Sequence, residues 1–250
     1  MTEPKKYTLR FSTVEDHAKL MAFYAENPHD NVCERHSDLI KEMADKGSVV
    51  LVEEAATGKI VGASISYPIY VEQEGIEREK WMELGTTRMV LNGYPGLFDM
   101  MLGLQILRAY LVEPPEDRFV AQMESPMVRK MAQKLGWRPY TPSKELVEIS
   151  DKTLDIAVGE TYGYDNWYSG GEEMLPVVAK LLCAAIDKPC LENPKTGDKI
   201  ELDISQSSFF KIFEDDIRAL ATKNLGDPDK QDYTKSVAKH RDAWMHRKFR

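Results

Sequence analysis

Cysteine is scarce: the 250 residues hold three, Cys33, Cys183 and Cys190, and no two form a CxxC pair. A small odd number scattered this way does not describe a disulfide framework, so a reducing compartment, the cytoplasm, is the expectation. Long apolar runs are missing too. The longest reach only a few residues, against the ~20 a helix needs to cross a bilayer. The opening MTEPKKYTLRFS has no apolar core behind its lysines, so neither a membrane partner nor a secretory signal is expected. Positive charge is outweighed, with 33 Lys+Arg against 41 Asp+Glu and a formal net charge of −8. That balance disfavours sequence-independent nucleic-acid binding, which draws its affinity from Lys and Arg on phosphates. The five histidines, His17, His29, His36, His240 and His246, make no i, i+4 pair and meet no cysteine at zinc-ligand spacing, so no metal site is expected. GxSxG, P-loop and dinucleotide fingerprints are absent.

What is present is a chain 42% apolar, long enough for one well-buried core and a smaller second unit. Tyr7–Ser12 alternates as a strand, and Thr13 with Asp16 supplies an N-cap and an acidic first turn. Val14, Ala18, Met21, Ala22 and Ala25 then share a helical face as far as Asn27-Pro28-His29. A second helix is predicted near 37–46. The β-branched run 48–53, the turn 56–59 and the run 60–71 predict an antiparallel hairpin, ending or bulging at Pro68. A further strand at 81–91 leads into the loop 92–96 and a helix over 97–112 that is apolar all round, hence buried on more than one side. A strand at 118–123 precedes a helix from Ser125 as cap and Pro126 at its first position to Gly136 as stop, and 137–140 extends again. The order β-α-α-β-β-β-α-β-α-β predicts an α/β protein with a mixed sheet.

Beyond Pro142 the texture shifts. The stretch 144–159 is ambiguous, 161–171 (TYGYDNWYSGG) reads as an aromatic and glycine loop, 172–186 as an amphipathic helix, 194–203 as a hairpin and 209–224 as a helix. The expected division is 1–145 and a mainly helical extension, 146–250. The rings of Tyr162, Tyr164, Trp167 and Tyr168 suit a lid or a subunit contact, so a homo-oligomer or a protein complex is compatible with this half. The basic tail 230–250 reads as an amphipathic helix that either packs Val237, Trp244 and Phe249 on the core or docks on a partner. Cys33 reads as a plain thiol.

Three segments resemble the GCN5-related N-acetyltransferase (GNAT) family. LRFSTVEDHAKLMAFY at 9–24 is similar to its first strand and helix, SVVLVEEAATGKIVGASIS at 48–66 to its second and third strands, and ESPMVRKMAQKLGWRPY at 124–140 to the stretch where a strand opens into a helix ending Lys-Leu-Gly-aromatic. The resemblance implies a GNAT-like, mostly antiparallel central sheet flanked by helices. It also implies N-acyl transfer from acetyl-CoA or another acyl-CoA to a small-molecule or protein amine, by direct attack on the thioester. In that family the loop after the fourth strand holds the diphosphate of acyl-CoA on backbone N–H groups at a helix start. The matching positions are Leu91, Asn92, Gly93, Gly96 and Leu97. Here Pro95 lacks a donor, and Leu97 and Phe98 stand where small residues are usual, so a plain strand-to-helix turn is the alternative.

The resemblance places the base that takes the amine proton at Glu83, whose other reading is a solvated strand carboxylate. The family's tyrosine acid falls on Ala132 and is missing; Tyr94 or Tyr140 would have to replace it, or each is a packed aromatic. The family's asparagine at the following helix start falls on Ser125, a cofactor contact or simply a cap. Arg88 either binds an acidic substrate group or lies at the surface, and it shares a face with Glu83 only if a bulge intervenes. A second class of function stays open: a GNAT-like binding or assembly protein without catalysis, for example in a phage virion or a multisubunit complex.

Overall fold

A computed structural model describes residues 3–29, 32, 36–73, 76–112, 118–153, 164–205 and 207–223. The elements run β1 (Lys5–Phe11), α1 (His17–Glu26), α2 (Ser37–Asp45), β2 (Val49–Glu54), β3 (Lys59–Gln73), β4 (Ile76–Met89), α3 (Leu97–Val112), β5 (Arg118–Gln122), α4 (Pro126–Lys134) and β6 (Arg138–Pro139), then α5 (Lys144–Thr153), β7 (Trp167–Gly170), α6 (Leu175–Asp187), β8 (Cys190–Glu192), β9 (Lys199–Asp203) and α7 (Ser208–Thr222). Through β6 this is the expected order. The nine strands form one sheet, β6-β7-β5-β4-β3-β2-β1-β9-β8. Its pairs are antiparallel except β1 with β9 and β4 with β5. The fold is therefore mixed α/β, with a mostly antiparallel central sheet flanked by helices.

Local chemistry explains the element ends. Ser125 caps α4 by accepting the Val128 N–H on its hydroxyl, with Pro126 in the first turn; such a cap contributes about 1 kcal/mol. Gly47 and Gly136, at φ 62° and 107°, follow α2 and α4 in the left-handed region that favours glycine. At the start of α1, Asp16 is buried and bound twice by the Arg10 guanidinium, at 2.7 and 2.8 Å. Burial works to raise that carboxyl, but the Arg10 bonds and the Thr13 N–H together hold it below its ordinary value.

Pro68 does not end or bulge β3. It pairs with Met82 of β4, and the bulges fall instead at Ala63/Ile65 and Ile69/Tyr70. The neighbouring Ser66 N–H points to the β2 side, bonding Ser48 O. Two residues on, Pro68 turns its nitrogen the same way, where β2 has already ended. No ladder bond is lost.

One further expectation is corrected. Residues 167–170 of the expected aromatic loop are strand β7, placed between β5 and β6, with Trp167 and Tyr168 buried. Tyr164 is exposed, while Tyr162 lies outside the described residues, as do Cys33 and the tail 230–250. The sheet itself runs across position 145/146. β7 sits inside the first half, and β9 extends it beside β1.

The reason is α3. Its apolar positions run all round, and it is covered by the sheet on one side and by α6 and α7 on the other, in a core that includes Met101, Leu104, Leu107, Val178, Leu182, Phe213 and Ile217. Gly103 lets α6 approach: a Cβ there would stand 3.2 Å from Val178 Cβ. A second core, Leu20, Phe23, Ile40, Met43, Leu51, Ile65 and Tyr67 among others, lies under α1 and α2. A third, including Ile69, Trp81, Val120, Leu146 and Trp167, lies under α5. Among the described residues no helix is long and apolar enough to cross a membrane.

One shared core predicts one transition. Val178→Asp, at a fully buried position of α6, should lower stability by about 3 kcal/mol or more. Tryptophan fluorescence and far-ultraviolet circular dichroism should still lose signal together in urea. Separate transitions would show that the C-terminal elements form an independent unit.

Candidate functional site

The fourth strand is where the chain becomes irregular. Opposite β3, Ile65 pairs with Gly85 and Ala63 with Arg88, so β4 carries one residue more than its partner between them. Thr86 takes up the excess with φ 49°, rare for a β-branched residue. Two phenols hold it. Tyr24 of α1 donates to Thr86 O at 2.8 Å, and Tyr67 of β3 meets Thr86 Oγ1 at 2.7 Å. The extra residue resets the alternation: Glu83 pairs with Tyr67 and Arg88 with Ala63, four residues apart on β3 and hence on one face. Glu83 and Arg88 therefore look out on the α1 side together.

Glu83 is 2% exposed, which removes the reading of a solvated strand carboxylate. The hydroxyl of Ser150, fully buried on α5, donates to its Oε2 at 2.5 Å. Between Glu83 and Arg88 on this face stand Gly85, which brings no side chain, and Thr86, whose Oγ1 meets the Tyr67 hydroxyl. A Cβ at Gly85 would stand 3.5 Å from Glu83 Oε1 and 3.6 Å from the Tyr67 ring. A carboxylate, a glycine backbone and a tyrosine ring thus pack side by side at the bulge. On the opposite face Ser64, Thr87 and Gln105 form a second polar group. Ser64 Oγ donates to Gln105 Oε1 at 2.8 Å and meets Thr87 Oγ1 at 2.7 Å, while the buried Gln105 Nε2 has no partner.

β4 pairs with β5 through Trp81, Met82 and Glu83 only. Past Glu83, β4 stays with β3 and β5 stays with β7. The two parallel strands part there, and α3 and α4 both begin at that end of the sheet.

The loop joining β4 to α3 turns on two glycines, Gly93 at φ 91° and Gly96 at φ 86°. Leu97 N–H bonds Tyr94 O and Met100 N–H bonds Gly96 O. The amides of Gly96, Phe98 and Asp99 find no acceptor among the described residues. The bulk expected to obstruct this helix start is turned away from it: Leu97 is buried in the core, and Phe98 and Leu91 are packed against it. Asn92 is exposed, with its amide on Val90 O. A neighbour unforeseen from the sequence, Asn193 after β8, lies against Gly93, where a Cβ would come 2.4 Å from Asn193 Nδ2.

Asp99, in the first turn of α3, is the other unforeseen feature. Its Oδ1 is buried without a partner among the described residues, and burial raises its carboxyl above its ordinary value, with Lys134 pulling the other way.

The predicted residues do not all meet. Tyr140 lies on the Glu83 side, packed against the core that contains Trp81, Val120 and Leu146, with its N–H on Trp167 O. Tyr94 does not join them. It packs against the α3-side core. Ser125 is occupied as the cap of α4, and Ala132 is sealed in the α3-side core. Among the described residues no group of three or more His, Cys, Asp or Glu stands together as metal ligands. Of the residues missed, only Gly85 left a signal, a glycine inside a strand pattern.

Fold and site together describe an α/β protein with a bulged central strand, a buried carboxylate beside the bulge and an uncapped helix start below it. No protein-family model matches the chain, and no curated protein matches it. Solved structures do resemble it. The mosquito arylalkylamine N-acetyltransferase like 5b is 15% identical, covering 65% of this chain and 97% of its own at TM-score 0.45. The ribosomal-protein-alanine N-acetyltransferase from Brucella melitensis is 16% identical, covering 65% and 98% at TM-score 0.41. A GNAT family acetyltransferase from Brucella melitensis in complex with acetyl-CoA is 14% identical, covering 54% and 84% at TM-score 0.39.

The Asp99 carboxyl gives a pH test. A group whose folded-state pKa is raised stabilises fully below its unfolded pKa and loses that contribution as pH rises through the folded value. Asp99→Asn cannot ionise, so its stability relative to the natural chain should improve between about pH 4 and about pH 7. Urea midpoints of both proteins at the two pH values measure it; an unchanged difference would mean that the carboxyl is not desolvated.

Proposed function

We propose that the chain is an acyl-CoA-dependent N-acyltransferase, most simply an acetyltransferase, with Glu83 as its general base. The observation that carries the reading is the arrangement at the bulge: a buried carboxylate bonded by Ser150 beside Gly85, on the strand that leads directly to a helix start with uncapped amides. The element order adds support, since each of the three GNAT-like segments forms the strands and helices that the resemblance assigns to it.

The donor set suits a diphosphate. Free N–H groups at a helix N-terminus, with the positive end of the helix dipole, attract an anion, and Gly96, Phe98 and Asp99 supply them here. Asp99 also brings a carboxyl to that turn, its pKa raised by burial above the ordinary value. Acyl-CoA supplies an activated acyl carbon, and the reaction exchanges its C–S bond for a C–N bond to the amine. The amine must lose a proton in doing so. Glu83 accepts it, through a water where the amine stands off, and Ser150 keeps the carboxylate oriented. The parting of β4 from β5 beyond Glu83 opens the sheet between the helix start and this base.

The test is calorimetric titration with acetyl-CoA, followed by thiol release with an amine panel. The natural chain should bind. Gly96→Glu should abolish binding by adding a side chain and a negative charge to a left-handed turn. Glu83→Gln should bind normally and lower turnover by about 10²–10⁴. No heat at millimolar acetyl-CoA would overturn the reading in favour of a non-catalytic binding protein, for which the buried Ala132 in place of the family's tyrosine is the specific argument.

A further inference from the structure

We infer that Arg88 selects the acceptor, and that the acceptor is an amine carrying an anionic group several bonds from its nitrogen; this rests on the acyltransferase reading. The bulge at Thr86 puts Arg88 on the Glu83 face. Its Nε donates to Asn27 O, at the end of α1, at 3.1 Å, and Nη1 reaches Met89 O at 3.5 Å. Both partners are carbonyls, and among the described residues no carboxylate pairs with it. A half-buried guanidinium retains its charge and five donors, and those not used on the two carbonyls can take an anionic group.

Position gives the ligand its shape. Glu83 and Arg88 stand opposite Tyr67 and Ala63, four residues apart on β3, or about 13 Å along the strand at ~3.3 Å per residue. Gly85 and Thr86 lie between them, with the Tyr67 ring against Gly85 and its hydroxyl on Thr86 Oγ1. One end takes a proton from an amine and the other offers a fork of N–H groups matched to carboxylate or phosphate. An amine next to its own anion cannot reach both ends, whereas one separated by a short chain can. A neutral amine leaves Arg88 unsatisfied, and discrimination follows because an interaction left unmade at a buried charge is costly.

The experiment measures thiol release from acetyl-CoA with three acceptors of one length: 6-aminohexanoate, 6-aminohexyl phosphate and hexylamine. KM for at least one anionic acceptor should lie about tenfold or more below that for hexylamine. The carboxylate and phosphate arms decide which anion is preferred. Arg88→Gln should raise the anionic KM to the hexylamine level while leaving the heat of acetyl-CoA binding unchanged, and Arg88→Lys should fall between. An unchanged acetyl-CoA binding heat also reports an intact fold. Equal KM values across the three acceptors, or an equal loss for all of them in Arg88→Gln, would overturn this role for Arg88 while acetyl-CoA binding leaves the transferase reading standing. Absence of acetyl-CoA binding would overturn both.

Discussion

One surplus residue in β4 governs the site. Without it Glu83 and Arg88, five apart, would project from opposite faces of the sheet. With it they share a face, and Thr86 absorbs the difference in a backbone conformation that costs roughly 1–3 kcal/mol. The cost is offset locally. The hydroxyls of Tyr24 and Tyr67 bond to Thr86 from two different elements, α1 and β3, and each such bond contributes about 1 kcal/mol net. The strain therefore stays fixed in one place, and the side chains on either side of it are aimed by the fold.

The second constraint is the two-sided burial of α3. A helix that is apolar all round cannot lie on a sheet with its outer face in water. The chain covers that face with α6 and α7, and the return path from α6 lays β8 and β9 along the free side of β1. This routing brings Asn193 against Gly93. Elements far along the chain thus shape the loop that starts α3, which is why the C-terminal residues are part of the site's scaffold rather than an appendage.

How much of this the sequence shows depends on how local the causes are. Ser125, Pro126 and Gly136 delimit α4 by chemistry within a few residues, and the element order through β6 follows from periodicity and turn residues alone. β7 is different. Trp167-Tyr168-Ser169-Gly170 reads as a loop because it is short and rich in glycine around it, and it is a strand because β5 and β6 pair with it on both sides. Pro68 misleads for the same reason, since its effect depends on where β2 stops. At the site, Glu83 is recognisable by its place before the loop, but its burial comes from Ser150, 67 residues away. The pairing of Glu83 with Arg88 was conditional on a bulge that Gly85 only hinted at.

The missing acid bears on the mechanism less than the base does. A thiol ionises near pH 8.5, so a thiolate leaves readily and can take its proton from solvent, whereas an alkylamine must be stripped of a proton held above pH 10 before it can attack. On the proposed acyltransferase reading the demanding transfer is thus the one assigned to Glu83, a buried carboxylate with the Ser150 hydroxyl on it and a glycine beside it. Ala132 sits in the α3-side core, away from this transfer. Tyr140 packs on the Glu83 side and Tyr94 on the α3 side of the sheet. A site arranged this way runs on positioning the amine, and its selectivity follows from whatever anchors the far end of the acceptor.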